Sequence, residues 1–235
     1  MKRLAVCISG SLRSIEYCIK NFIENIIAPN QKTMNITLFY YIPNDANSKK
    51  INYIQQLNAQ YKIKNDIALP IPNIRWSIQP GKKDNVSKGG IRGYLQQLYG
   101  IEQSYLMMEN YEKENNITFD YILRVRSDVI FKEPIILDTF SLDKIIVPNF
   151  HFWLGINDRF AVGNREAMIT YMHMYSNIYK ISKSYLKQNN TPLFLKNAEH
   201  FAKVNLEYNK ITYSSEQSIL FNRVRMDGTI VPDSF

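Results

Sequence analysis

The sequence predicts a single α/β domain with a mostly parallel central sheet flanked by helices, and three observations carry that prediction. Short apolar runs alternate with amphipathic stretches through the first 80 residues, the order that builds parallel sheets. A long amphipathic stretch then leads into another apolar run, Tyr121-Ile122-Leu123-Arg124-Val125-Arg126, which ends on Ser127-Asp128. With 45% apolar and 21% charged residues, a chain of 235 residues can bury a full core. No internal repeat and no boundary is visible, so residues 1–235 read as one unit.

Each element follows from local pattern. Leu4-Ala5-Val6-Cys7-Ile8 reads as a buried parallel strand entering the turn Ser9-Gly10-Ser11. Ile15, Ile19, Phe22 and Ile26 recur at helical spacing until Pro29-Asn30 stops the pattern. The next strand covers 35–42 and ends at Pro43-Asn44-Asp45, and a helix over about 48–60 precedes a strand near 74–78. Residues 79–93 are polar and hold Gly81, Gly89, Gly90 and Gly93, which signals a mobile loop. From Tyr94 to about residue 115, Leu95, Leu98, Ile101, Tyr105 and Met108 line one helix face. After the 121–126 strand come a short strand at 144–147, the aromatic stretch Phe150-His151-Phe152-Trp153 and a helix over 165–179. A polar segment broken at Thr191-Pro192 precedes 194–200, and a final helix over 215–225 opens on the cap-like Ser214-Ser215-Glu216-Gln217.

Composition and motifs exclude several functions. A net charge of +8, from 29 Lys+Arg against 21 Asp+Glu, suits an anionic partner. No basic stripe interleaved with aromatics and no nucleic-acid-binding signature accompanies it, so no nucleic-acid partner is expected. No apolar run approaches the roughly 18 residues of a transmembrane segment, and the first ten residues lack the apolar core of a signal peptide, which predicts a cytoplasmic protein. Cys7 and Cys18 are not spaced as CxxC and read as buried thiols. There is no GxGxxG after the first strand, no Walker A sequence and no GxSxG elbow, and His151, His173 and His200 lack zinc-site spacing.

Four motifs remain: Ser9-Gly10-Ser11-Leu12-Arg13, Gln96-Gln97-Leu98-Tyr99, the run Phe119-Asp120 through Arg126-Ser127-Asp128, and Gly155-Ile156-Asn157-Asp158-Arg159-Phe160-Ala161-Val162-Gly163. In this order and spacing the chain resembles nucleotide-sugar glycosyltransferases of the GT-A fold, and more narrowly the small transferases of large DNA viruses with their bacterial and plant relatives. The resemblance spans roughly residues 3–225. It implies a GT-A-like, Rossmann-like sheet and transfer of a sugar from a UDP-linked donor to a glycan or glycoprotein acceptor, in the host cytoplasm if the source is viral.

The resemblance also assigns residues. A departing nucleoside diphosphate carries about two negative charges, which a divalent cation or guanidinium groups must offset. In the family an Asp-x-Asp motif binds Mn²⁺ or Mg²⁺; the matching triplet here is Arg126-Ser127-Asp128, so the first carboxylate is replaced and metal binding falls to Asp128, with phosphate oxygens and water completing the shell. Arg126 is expected at the phosphates or at the core edge. Ser9, Gly10 and Arg13 are expected at the base and ribose, with Gly10 permitting close backbone approach. Arg92, beside Gly93, is expected to reach the diphosphate from the loop. Asn157 joins the donor contacts. Asp158 is the expected catalytic base for an acceptor hydroxyl, or a partner of donor hydroxyls, with inversion favoured and Trp153 stacking a sugar. Glu216 is the rival base. No histidine follows His200 to complete the family's metal shell, which leaves Asp233 as the candidate. A nucleotidyltransferase and a non-catalytic nucleotide- or carbohydrate-binding protein are the alternatives, the latter supported by the missing first carboxylate.

Overall fold

The computed structural model describes residues 1–65, 67–76 and 85–232, the backbone alone over 85–89. The first third comprises β1 (Lys2–Ser9), α1 (Ile15–Phe22), a π turn (Ile23–Ile27) running into α2 (Ala28–Asn30), β2 (Met34–Pro43), a 3₁₀ turn (Ser48–Ile51) running into α3 (Asn52–Gln55), β3 (Gln60–Lys64) and β4 (Ile74–Trp76). Next come the long helix α4 (Asn85–Asn115), β5 (Tyr121–Val125), β6 (Val129–Phe131), β7 (Ile145–Pro148) and β8 (Phe160–Asn164). The chain closes with α5 (Arg165–Met172), α6 (Met174–Asn189), β9 (Leu193–Leu195), α7 (Ala198–Tyr208), β10 (Tyr213–Glu216), β11 (Phe221–Val224) and β12 (Ile230–Val231).

Among the described residues seven strands form the central sheet in the order β10-β7-β8-β5-β1-β2-β3. β1 pairs in parallel with both β2 and β5, β2 with β3, and β7 with β10. β8 alone runs against its neighbours, β5 and β7. The mixed α/β class with a mostly parallel sheet is therefore as the sequence predicts. Strand alternation sends Ala5, Cys7 and Ile122 into a layer with α4 to α7, and Leu4, Val6, Leu123 and Val125 into one with α1. Cys7 and Cys18 are free and buried, and burial above all pushes the Cys18 thiol up to about 12. Asn30 ties the end of the first helical segment to the core by donating to Ile135 O at 2.7 Å and accepting from Leu137 N at 2.8 Å. No helix of the described residues is long and apolar enough to cross a membrane.

Several expected elements are corrected. The helix expected from Tyr94 already begins at Asn85, so Arg92 and Gly93 are helical; residues 79–84 of the expected loop lie outside the described residues. A helical glycine costs only about 1 kcal/mol, which the packing of the long helix outweighs. The 48–60 helix is short and yields to β3, an edge strand whose residues are all exposed and which therefore carries no apolar alternation. The 165–179 helix breaks at His173, and its second part continues to Asn189, where Asn190 takes a left-handed φ of 53°. The expected final helix is two strands. Tyr213–Glu216 pairs with β7, and Phe221–Val224 forms a separate small sheet with β6 and β12. β4 pairs with β9 apart from the central sheet.

Candidate functional site

From β1 the chain passes to β2 and β3 on one side, then crosses over to β5 on the other. The carboxyl ends of β1 and β5 thus form the crevice where connections diverge, the usual ligand position in open α/β sheets. Antiparallel β8 begins where its neighbours end, which brings Asn157-Asp158-Arg159 to the same edge. At this crevice lies a cavity of about 400 Å³. Ser9, Gly10, Arg13, Arg126 and Asp128, expected at the site from sequence, all line it. Gly10 has a φ of +127°, open to glycine and strained for other residues, and its N–H donates to Tyr41 O at 3.1 Å. α4 closes one wall with Gly93, Gln96, Gln97 and Gly100, and at Gly100 an added Cβ would come within 3.3 Å of the Ser9 Cβ.

Asp128 is the hub of the charged floor. Arg126 grips it with two bonds, Nε to Oδ1 and Nη2 to Oδ2, each 2.7 Å, and Arg13 Nη2 adds a third to Oδ2 at 2.7 Å. Burial opposes its ionisation, but the two guanidinium groups outweigh this and hold the carboxyl well below the usual carboxylate range. Ser127 Oγ donates to Ser11 O at 3.2 Å, tying the end of β5 to the turn after β1.

Sequence reasoning missed Arg124 as a site residue. It lies in β5 two residues before Arg126, is 2% exposed, and lines the cavity. Its Nε and Nη1 find no hydrogen-bond partner among the described residues. Burial lowers its pKa, the nearby Tyr171 hydroxyl and Asp158 carboxylate push it back up, and a guanidinium stays charged. The available signal was an arginine within an otherwise apolar central strand.

These residues do not fit a divalent cation. Both oxygens of Asp128 are committed to arginines, and among the described residues no group of three or more His, Cys, Asp or Glu side chains could hold a metal ion. Asp233 lies outside the described residues.

Asp158 and Asn157 do not line the cavity. Asp158 is 5% exposed and reaches it through Gln97, whose Nε2 donates to Oδ2 at 2.8 Å. Asn157 is fully buried and spends its side chain on its own loop, donating to Phe150 O at 3.1 Å and accepting from Arg159 N at 2.9 Å. Beside them stands Glu199, which sequence reasoning also missed because the second residue of a helix capped by Asn197 reads as an ordinary dipole charge. Its Oε1 lies 3.5 Å from Arg159 Nη2. Burial, reinforced by the charge of Asp158, pushes its carboxyl up to about 7.

A pH dependence follows with a definite sign. The unfolded chain releases the Glu199 proton near 4.5, whereas the folded chain keeps it to about 7, so stability falls as pH rises through that window. Glu199→Gln is expected to remove on the order of 2 kcal/mol of that slope. Urea unfolding at pH 5, 6, 7 and 8 checks this, and parallel pH profiles for the two proteins would contradict it.

The remaining expected residues lie elsewhere. Arg92 is exposed and lines a neighbouring cleft with Ile67, Ala68, Leu69, Ile71 and Gln96. Glu216 ends β10 and is not among the cavity's lining residues. Trp153 is 61% exposed in a loop where His151, Trp153 and Leu154 all take positive φ, and its backbone oxygen accepts from Asn197 Nδ2 at 2.6 Å. No curated protein matches the chain at a significant level. Residues 1–223 match a family model described as Domain of unknown function (DUF7796), and the chain belongs to that family.

Proposed function

We propose that the chain is a GT-A-type glycosyltransferase that binds a UDP-linked sugar in the crevice cavity and passes the sugar to a glycan or glycoprotein acceptor in the cytoplasm. The supporting observation is the cavity itself, about 400 Å³ at the strand switch point and lined by Arg13, Arg124 and Arg126, a size and charge suited to a nucleoside diphosphate. In the proposed reaction an acceptor hydroxyl oxygen bonds to the anomeric carbon as the bond from that carbon to the diphosphate oxygen breaks. The nucleoside diphosphate leaves with the electron pair, and the hydroxyl proton passes to Asp158. Gln97, held by Asp158, presents its amide oxygen to a sugar hydroxyl, and exposed Trp153 offers an apolar face to the acceptor.

One observation favours a second reading, a nucleotide binder without catalysis: Asp158 stands behind Gln97 rather than in the cavity wall. Thermal shift against UDP, GDP, CMP and their sugar conjugates, followed by release of free nucleotide, tests both. One diphosphate at a hundred times its Kd is expected to raise Tm by roughly 5–10 °C. Its sugar conjugate is expected to release nucleotide, and Asp158→Asn to slow release at least about 100-fold while keeping the shift. A shift without release supports the binder, and no shift with any nucleotide refutes both readings.

A further inference from the structure

We infer that Arg124, flanked by Arg13 and Arg126, holds the diphosphate of the ligand directly and that no divalent cation is needed to hold it. The inference deepens the nucleotide-sugar reading and rests on it for the identity of the ligand. It starts from charge. Among the described residues three guanidinium groups line the cavity against two carboxylates, Asp45 and Asp128; Asp45 is exposed at the rim, and Asp128 is already shared by Arg13 and Arg126. The floor is left with an excess of positive charge, which repels a second cation and attracts a phosphate-class anion.

Arg124 supplies an independent observation. Fully buried cations are retained with partners, because removing a charge from water without hydrogen bonds is costly. Arg124 has Nε and Nη1 unpartnered among the described residues, and Asp158 and Asp128 act on it only through space. A planar guanidinium in the wall of a concave site matches two phosphate oxygens at once, whereas a metal would have to win Asp128 from two arginines. The part played by a cation in the Asp-x-Asp arrangement falls here to side chains that are already in place.

The test measures binding of UDP, GDP and inorganic pyrophosphate to the full chain by calorimetry, in EDTA and in Mn²⁺, for wild type, Arg124→Lys and Arg124→Met. A diphosphate is expected to bind in EDTA within about twofold of its Kd in Mn²⁺. Arg124→Met is expected to weaken it about 10- to 100-fold, the loss of one or more hydrogen bonds to a charged group, with Arg124→Lys in between. Binding abolished by EDTA and restored by Mn²⁺ overturns the inference, as does wild-type affinity in folded Arg124→Met. The EDTA comparison uses wild type and decides the question even if Arg124→Met does not fold. Pyrophosphate separates the two claims. If it binds through Arg124 while no nucleotide binds, the nucleotide-sugar reading fails and the anion site stands; if nucleotides bind only with Mn²⁺, the reading stands and the anion site fails.

Discussion

Gly155→Ala is expected to destabilise the protein by at least about 3 kcal/mol, or to prevent native folding altogether. A Cβ at this position would lie 1.8 Å from Glu199 O, 2.0 Å from Glu199 C and 2.4 Å from His200 N. All three are backbone atoms, so no rotamer change relieves the overlap; either the start of α7 or the loop before β8 must move. The next residue is bonded to the same carbonyl, Ile156 N to Glu199 O at 3.1 Å, and that bond is lost with the contact. An overlap this deep with backbone stands at the upper end of the usual overpacking cost of about 1–3 kcal/mol, and the broken bond adds about 1. The loss corresponds to roughly 6–12 °C in Tm for a chain of this size. Gly90→Ala makes the matching control, because among the described residues an added Cβ there meets nothing within 4 Å on an exposed turn of α4. It should raise stability by about 0.5–1 kcal/mol through helix propensity. A Gly155→Ala protein melting within 2 °C of wild type, a shift of roughly 1 kcal/mol or less, would mean that the loop does not pack on α7 as described.

Glu112→Ala should cost about 2–4 kcal/mol. The Glu112 side chain is 8% exposed and accepts from Arg165 Nε at 3.1 Å, from Arg165 Nη2 at 2.7 Å and from Phe119 N at 2.8 Å. Truncation leaves the buried Phe119 N–H without its acceptor and Arg165 with Glu109 at 3.6 Å as its remaining carboxylate. Arg165 is 28% exposed and regains some water, which keeps the loss at the lower end of what breaking a buried pair costs. Glu112→Met together with Arg165→Met removes both charges and should recover most of the loss, leaving the Phe119 N–H as the residual deficit. Guanidinium unfolding of Glu112→Ala, Glu112→Met, Arg165→Met and the double variant gives the comparison, and additive single and double effects would show that the pair is not coupled. The clamp joins the carboxyl end of α4 to the start of α5, so its loss should also loosen the helix whose other half walls the cavity.

How much of this could be read in the sequence depended on what carried the signal. β1, β2 and β5 were legible because burial on both faces makes near-continuous apolar runs, and Asp128 because it follows such a run directly. β3 was not, since an edge strand exposed throughout has no apolar period to read. Residues 213–225 misled because Ser214-Ser215-Glu216 reads locally as a helix cap, while the partners that make strands of the segment, β7 and β6, lie far away in sequence. At the site, Asp128 was legible from its place at a strand end, whereas Ser9, Gly10, Arg13 and Arg126 were reached through the family resemblance. Arg124 and Glu199 were hidden by their setting, one within an apolar strand and the other in a helix's first turn, where a charge is ordinary.

The order of strands also governs when the molecule can be assembled. β1 meets β2 within the first 43 residues, but its other edge waits for β5, where Leu4 pairs with Tyr121 and Ile8 with Val125. Before residue 121 is synthesised, β1 has an open hydrogen-bonding edge and α4 lacks Ile122 and the later helices that cover its apolar face. A ribosome-bound or proteolysed chain of that length therefore exposes the surface that the finished protein buries most completely, and it would be the species that chaperones engage or that aggregates. Closure over so long a separation is slow, so the fold is acquired late and as a whole rather than grown outward from its first strands.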